Sequence, residues 1–200
     1  MIMIVNYGLG NVRAIENIYR RLNISVSIVN NPEELASAEK IILPGVGSFD
    51  WAMSRLNKSG MEKCLNELVL QKKRPVLGIC IGMQMMANSS EEGMLPGLGW
   101  LDGEIKCFDS TKLGNNIDLP HMGWNDVVPV KNNGLFKGIE SPRFYFLHSY
   151  YFSTFKSNHI LAETDYNGTF TSAINSENIF GTQFHPEKSH NWGIKLLKNF

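Results

Sequence analysis

The sequence predicts an α/β fold: a mostly parallel central sheet flanked by helices, with additional antiparallel strands. Three observations carry this expectation. From Ile2 to about Asn88, short apolar runs alternate with amphipathic stretches, the pattern of parallel strands joined by covering helices. Beyond Asn88 the helical period gives way to a series of short β-patterned runs, which extend that sheet and add an antiparallel layer. No repeat, low-complexity tract or interdomain linker interrupts the 200 residues, so 1–200 is expected to be a single domain.

Taken in order, Ile2–Asn6 reads as the first strand, and Gly8-Leu-Gly10 leads into a helix with Val12, Ile15, Ile18, Tyr19 and Leu22 on one face. Ile24–Val29 is the second strand. Asn31 caps a short helix that has Pro32 at its first position. Lys40–Leu43 is a third strand and runs into Pro44-Gly45-Val46-Gly47, after which Ser48 caps a helix through Trp51 and Leu56. The next helix sets Met61, Cys64, Leu65, Leu68 and Val69 on one apolar face, which assigns Cys64 to the core. Val76–Ile79 is a buried strand that leads to Cys80 and its helix. After a polar, glycine-rich loop at Ser89–Leu98, strands are expected at Gly99–Phe108, Trp124–Pro129, Arg143–Phe152, His159–Thr164, Thr171–Asn175 and Ile179–Phe184. Asp109–Asn116 reads as a surface loop. A last helix, from about Ser189 to Phe200, buries Trp192, Leu196, Leu197 and Phe200.

Composition excludes several classes of function. Hydrophobic residues make up 43% and charged residues 19% of the chain, proportions of a globular protein. Nineteen Lys and Arg balance nineteen Asp and Glu, leaving no basic excess for nucleic acid or a membrane surface. No apolar run approaches the ~20 residues of a membrane span. The opening Met-Ile-Met-Ile-Val-Asn-Tyr lacks the cationic region of a signal peptide. Cys64, Cys80 and Cys107 are odd in number and include no Cys-x-x-Cys, which argues against a disulfide framework or zinc knuckle and for the cytoplasm. No cofactor and no metal is expected. Gly8-x-Gly10 sits where a dinucleotide fingerprint would start, but its third glycine position is Arg13, and Val29 leads into Asn30 and Asn31 rather than an acidic residue.

The stretch Gly78-Ile-Cys80-Ile-Gly82 has the spacing of a nucleophile elbow with cysteine in place of serine. A strand that turns sharply into a helix has no room for side chains beside the nucleophile, which explains the two glycines. The N-terminus of the following helix then favours the thiolate, the attacking form. Taken alone, the stretch also fits a buried structural cysteine. Gly45-Val46-Gly47, between strand and helix, exposes backbone N–H groups that can stabilise an oxyanion, or is an ordinary tight turn. Among the five histidines, His159 and His190 read as solvated, and His121 as part of a structured loop. His148 and Ser149 point to opposite faces of a strand and cannot pair locally. His185 differs from these. It follows Ile179–Phe184 and precedes Pro186-Glu187, so in extended chain His185 and Glu187 share a face. Glu187 can then fix the imidazole tautomer and leave the other nitrogen for Cys80.

Pro44-Gly45-Val46-Gly47, Gly78-Ile-Cys80-Ile-Gly82-Met-Gln84 and Phe184-His185-Pro186-Glu187 together resemble the class I glutamine amidotransferases. Asn6-Tyr-Gly-Leu-Gly-Asn11, Pro120-His-Met-Gly-Trp-Asn125 and His148-Ser-Tyr150 narrow the resemblance to the glutaminase subunit of imidazole glycerol phosphate synthase, in order over essentially the whole chain. The resemblance implies the flavodoxin-like fold of that family. It makes Cys80 the nucleophile on the glutamine side-chain amide, His185 the acid and base, and Glu187 its orienting group. It implies an oxyanion hole from the backbone of Ile81, Val46 and Gly47. Gly45, Gln84 and the backbone of His148, Ser149 and Tyr150 would hold the glutamine. Tyr145, Lys188 and Asn11 would lie at the partner interface or ammonia exit.

The implied partner is the cyclase subunit, a (β/α)₈ barrel that uses the ammonia in histidine biosynthesis, or a paralogue of it. Lys188-Ser-His-Asn-Trp-Gly193 and Gly97-Leu-Gly-Trp-Leu-Asp102 also resemble glutaminases that feed sugar amidotransferases of surface-polysaccharide biosynthesis. A non-catalytic binding module and a cysteine peptidase on the same fold are the remaining alternatives. The complete triad argues against the first, and the match at Gln84 and His148-Ser-Tyr150 against the second.

Overall fold

A computed structural model describes residues 1–109, 119–131 and 134–200, so all but the first residue of the expected loop Asp109–Asn116 lies outside the described residues. The first half alternates as expected: β1 (Ile2–Val5), α1 (Val12–Arg21), β2 (Val26–Val29), α2 (Pro32–Leu35), β3 (Lys40–Gly45), α3 (Phe49–Ser59), α4 (Glu62–Asn66, continued by a π-helical turn Glu67–Gln71), β4 (Val76–Cys80) and α5 (Ile81–Gln84). The second half is β-rich: β5 (Ser89–Ser90), β6 (Gly103–Cys107), β7 (His121–Asp126), β8 (Val128–Pro129), β9 (Arg143–His148), β10 (Tyr150–Thr154), β11 (Ile160–Asp165), β12 (Thr169–Ser176) and β13 (Ile179–Thr182), closed by α6 (His190–Asn199).

Among the described residues, eleven strands form one sheet. Its parallel part runs β2-β1-β3-β4-β13, the order of a flavodoxin-like sheet. The strands β12, β10 and β6 continue it antiparallel. Strands β1 and β4 are buried along their whole lengths, which is why they read as unbroken apolar runs. The core apolar residues form one cluster that includes Ile4, Ile42, Leu77, Phe146, Phe152 and Leu197. In such sheets ligands bind at the carboxyl ends of the strands. Here that edge collects the segments after β1, β3, β4 and β13.

Several local expectations are corrected. Arg143–Phe152 is not one strand. It breaks at Ser149, with β9 pairing β7 in a separate two-stranded sheet and β10 joining the main sheet. Phe108 N donates to Ser149 O one position beyond the Tyr150–Cys107 pair of β10 and β6, and the break at Ser149 turns the chain toward the site. His121 lies in β7, not in a loop. Asn31 caps α2 as expected, its side chain accepting from Glu34 N. Ser48 stands at the N-cap of α3 without a side-chain bond; the Glu92 carboxylate takes Phe49 N at 2.8 Å in its place. Trp51 is 52% exposed, on the outer face of α3. Cys64 and Trp192 are only half-buried against the core, with Trp192 Nε1 donating to Glu140 O at the surface. His159 is half-buried rather than solvated, and burial lowers its pKa. The helix after Cys80 is a single turn, since Leu98 N and Leu101 N cap Met85 O and Met86 O. The positive field at Cys80 therefore comes from the first-turn N–H groups rather than from a long helix dipole.

Candidate active site

The site is built around the turn from β4 into α5. Cys80 sits at φ 55°, ψ −114°, outside the ordinary regions for a residue with a side chain, a strain that packing must hold in place. The flanking glycines explain how. A Cβ on Gly78 would stand 2.7 Å from Gly82 O and Met83 N, and one on Gly82 would stand 1.8 Å from Leu43 O. Strand β3 packs against this turn, with Gly45 opposite Cys80 in register. A Cβ on Gly45 would lie 2.7 Å from Gly82 N. Tyr7 braces the loop that follows: its hydroxyl donates to Pro44 O at 2.7 Å. Burial, with a contribution from Cys80, raises Tyr7 and keeps that donor protonated.

His185 follows β13, parallel to β4, and its backbone N donates to Tyr145 O. Its Nδ1–H donates to Glu187 Oε1 at 2.8 Å, with both side chains buried. Asn11 Nδ2 donates to the same oxygen at 2.7 Å. Glu187 Oε2 is buried without a partner among the described residues. Burial alone would push His185 down, but the charges of Cys80 and Glu187 and their hydrogen bonds outweigh it and hold the imidazole well above its ordinary value. Burial would likewise raise Glu187, but the bonds from His185 and Asn11 keep it below the usual carboxylate range. Nδ1 being engaged by Glu187, Nε2 is the nitrogen available to the sulfur.

Cys80 and His185 open onto a cleft of about 290 Å³, also lined by Val46, Gly47, Ile81, Gln84, Glu92, Pro120, Leu147, His148, Ser149, Tyr150 and Lys188. Gln84 Nε2 donates to Tyr150 O at 3.0 Å and to Gln183 Oε1 at 2.9 Å. Its own Oε1 is buried with no partner among the described residues. An unpaired acceptor in a substrate-sized cleft is a position for a ligand N–H.

A family model described as glutamine amidotransferase class-I matches residues 3–200. The chain belongs to this family. Among its relatives is imidazole glycerol phosphate synthase subunit HisH of Bdellovibrio bacteriovorus, 56% identical over 100% of this chain and 98% of the relative. The protein of the same name from Leptospira interrogans is 50% identical over the same shares. Subunit HisH 2 of Pseudomonas aeruginosa is 44% identical over 100% of this chain and 98% of its own length. In fold the amidotransferase is similar to PurLQS from Thermotoga maritima, with TM-score 0.73 at 20% identity over 99% of this chain and 95% of that one.

Of the residues singled out from the sequence, this amidotransferase gathers Cys80, His185, Glu187, Val46, Gly47, Ile81, Gln84, His148, Ser149, Tyr150 and Lys188 at one cleft or immediately behind it. Gly45 lies beneath, in β3. Tyr145 lies beside the mouth, with Lys188 Nζ 5.5 Å from its ring centre. Asn11, expected at the interface, turns its side chain inward and donates to Glu187.

The sequence reading missed Glu92, Tyr7, Gln183 and the partner of His148. Glu92 lies in a polar loop with no local signal. Burial raises its pKa, the Phe49 N–H opposes this, and Asp50 adds to it. His148 Nδ1 donates to Tyr150 O at 2.8 Å, so its Nε2 accepts, at 3.0 Å, from His121 Nδ1. His121 Nε2 in turn accepts from Asn125 Nδ2. Burial holds both imidazoles neutral, His121 down to about 4 and His148, with a further push from His121, to about 3. The pair fixes the Tyr150 backbone that holds Gln84.

Proposed function

We propose that the chain is the glutaminase subunit of an imidazole glycerol phosphate synthase, supplying ammonia from glutamine for histidine biosynthesis. The observation that carries this reading is the strained Cys80 in one cleft with an imidazole whose Nδ1–H donates to buried Glu187. That arrangement suits acyl transfer by a thiolate. In the proposed sequence the Cys80 sulfur attacks the amide carbon, and the carbonyl electrons move to an oxyanion facing the Ile81, Val46 and Gly47 N–H groups. Collapse expels ammonia, which leaves with the proton held on His185 Nε2. Neutral His185 then takes a proton from water, whose oxygen attacks the thioester; the second collapse releases glutamate and returns the electron pair to sulfur. The α-ammonium group of glutamine is placed against Glu92 and the unpaired Gln84 Oε1.

The ammonia must stay unprotonated to act as a nucleophile, which calls for a partner sealed over the cleft. The strand alternation in β7 and β9 supports a docking face there. Met122 is 65%, Leu147 39% and Trp124 37% exposed on the outer side of this small sheet, beside Tyr145 and Lys188. The occupant proposed is the cyclase barrel, with Tyr145 and Lys188 at the ammonia exit. The free thiols of Cys64 and exposed Cys107 fit a cytoplasmic setting.

The test is glutaminase turnover of the chain alone and with a cyclase subunit, using amide-¹⁵N glutamine in a large excess of unlabelled ammonium. Low activity alone, stimulation by the partner and retention of the label in the product support the reading. Full activity alone, or label diluted to the bulk ratio, contradicts it. Growth of a histidine auxotroph that lacks its own glutaminase subunit separates this reading from a paralogous supply of ammonia to a sugar amidotransferase.

A further inference from the structure

The side-chain amide of Gln183 has a single orientation, and it follows from one backbone carbonyl. Tyr150 O can only accept, so the atom of Gln84 that lies 3.0 Å from it is the amide nitrogen. That nitrogen's other hydrogen meets Gln183 at 2.9 Å, so the Gln183 atom there is the oxygen. The remaining end of Gln183, its Nε2, therefore faces Cys80 Sγ at 3.7 Å, hydrogen-bond range for an N–H against an atom as large as sulfur. Gln183 is fully buried, and its backbone N is held by Ser172 O at 2.9 Å. The chain bends at Gln183 and Phe184 after β13 ends at Thr182, and both the Gln183 amide and the His185 imidazole reach the sulfur from this segment.

We propose that Gln183 is a further catalytic residue, whose side-chain N–H donates to the Cys80 thiolate. The proposal rests on the glutaminase reading above. Besides His185, the sulfur also has Leu147 O at 4.0 Å, which is an acceptor only. It takes a hydrogen bond from a thiol and repels a thiolate, whereas Gln183 does the reverse. A neutral donor in a buried site stabilises charge there without reorganising. It acts twice: on the free thiolate before attack, and again when the thioester C–S bond breaks and its electron pair returns to sulfur.

The experiment compares wild type with Gln183→Glu and Gln183→Met in the full chain. Glutamate still accepts from Gln84 Nε2, so it keeps the pocket brace while removing the donor from the sulfur; methionine removes both. The readouts are the rate of Cys80 alkylation by iodoacetamide as a function of pH, followed by peptide mapping, and kcat and KM for glutamine. A hydrogen bond to a charged group is worth about tenfold or more in rate. Gln183→Glu should therefore alkylate at least about tenfold more slowly near neutral pH, with a similar fall in kcat and little change in KM. Gln183→Met should show the same alkylation loss and a raised KM. Alkylation and kcat within about twofold of wild type in either variant, or a loss confined to KM, would reduce Gln183 to a brace for Gln84 and overturn the proposal. If one variant fails to fold, the alkylation rate and kcat of the other decide the question by the same thresholds. Wild-type Cys80 that resists a glutamine-analogue electrophile would instead overturn the glutaminase reading, and this proposal with it.

Discussion

Replacing Glu187 by glutamine tests the imidazole support with little change in volume. Two donors, His185 Nδ1 at 2.8 Å and Asn11 Nδ2 at 2.7 Å, converge on Glu187 Oε1. The glutamine oxygen must take that position, which puts its NH₂ where Oε2 now lies buried without a partner among the described residues. The tautomer of His185 therefore survives, and what is lost is the charge behind it. Charge-assisted hydrogen bonds contribute about 1.5–3 kcal/mol, so kcat should fall about 10- to 150-fold while KM changes little. The fall should be smaller than that of His185→Ala, because the base remains and a thiolate needs less help than an alcohol. The charges of Cys80 and Glu187 raise His185; removing one of them lets the imidazolium lose its proton at lower pH, and the alkaline limb of kcat/KM should move down. The buried, unpaired NH₂ should also cost about 1–3 kcal/mol of stability, a fall in Tm of roughly 2–12 °C. Steady-state kinetics across pH and a thermal melt check all of this. Turnover within about twofold of wild type, or a loss equal to that of His185→Ala, would rule out an orienting role for Glu187.

Other substitutions test neighbouring parts of the account. Gly82→Ala drives a methyl to 1.8 Å from Leu43 O, backbone that cannot step aside; a loss of at least about 1–3 kcal/mol in a denaturant melt is expected, and a wild-type midpoint would contradict the elbow packing. His121 and His148 are held neutral by burial, so the unfolded chain binds their protons first as pH drops below about 6.5, and stability should fall by about 2 kcal/mol per histidine at about pH 5. A His121→Gln variant, which cannot titrate at that position, should lose less Tm on the same acidification; an equal loss would exclude the pair as the cause. Trp124→Ala, on the face proposed for the cyclase, should weaken partner-stimulated turnover while leaving activity of the isolated chain unchanged, measured by titrating the partner.

The parallel sheet and the grouping of Cys80, His185 and Glu187 were legible because their signals are local. Apolar runs mark strands buried on both faces, and glycines two residues either side of Cys80 reflect clashes within the turn itself. His185 and Glu187 are only two residues apart, and their imidazole–carboxylate bond forms across the start of a 3₁₀ turn, Pro186–Lys188, rather than along the extended chain expected. What stayed hidden depends on chain segments brought together by folding. Asn11 meets Glu187 across 176 positions and Gln183 meets Cys80 across 103, and neither residue carries a pattern that announces its partner. Glu92 likewise reaches the N-terminus of α3 from a loop 43 positions on, displacing the cap expected of Ser48. The break at Ser149 was invisible for a related reason: both halves alternate as good strands, and only their pairing with different sheets separates them.

Cys80, set by its elbow and served by His185, is proposed as the nucleophile for glutamine. Treatment with a glutamine-analogue electrophile, followed by peptide mapping and a parallel turnover assay, tests it most directly. The account predicts an adduct on Cys80 alone, prevented by excess glutamine, with activity lost in step with labelling and absent from a folded Cys80→Ala variant. Labelling of Cys64 or Cys107 with turnover retained in Cys80→Ala would contradict it.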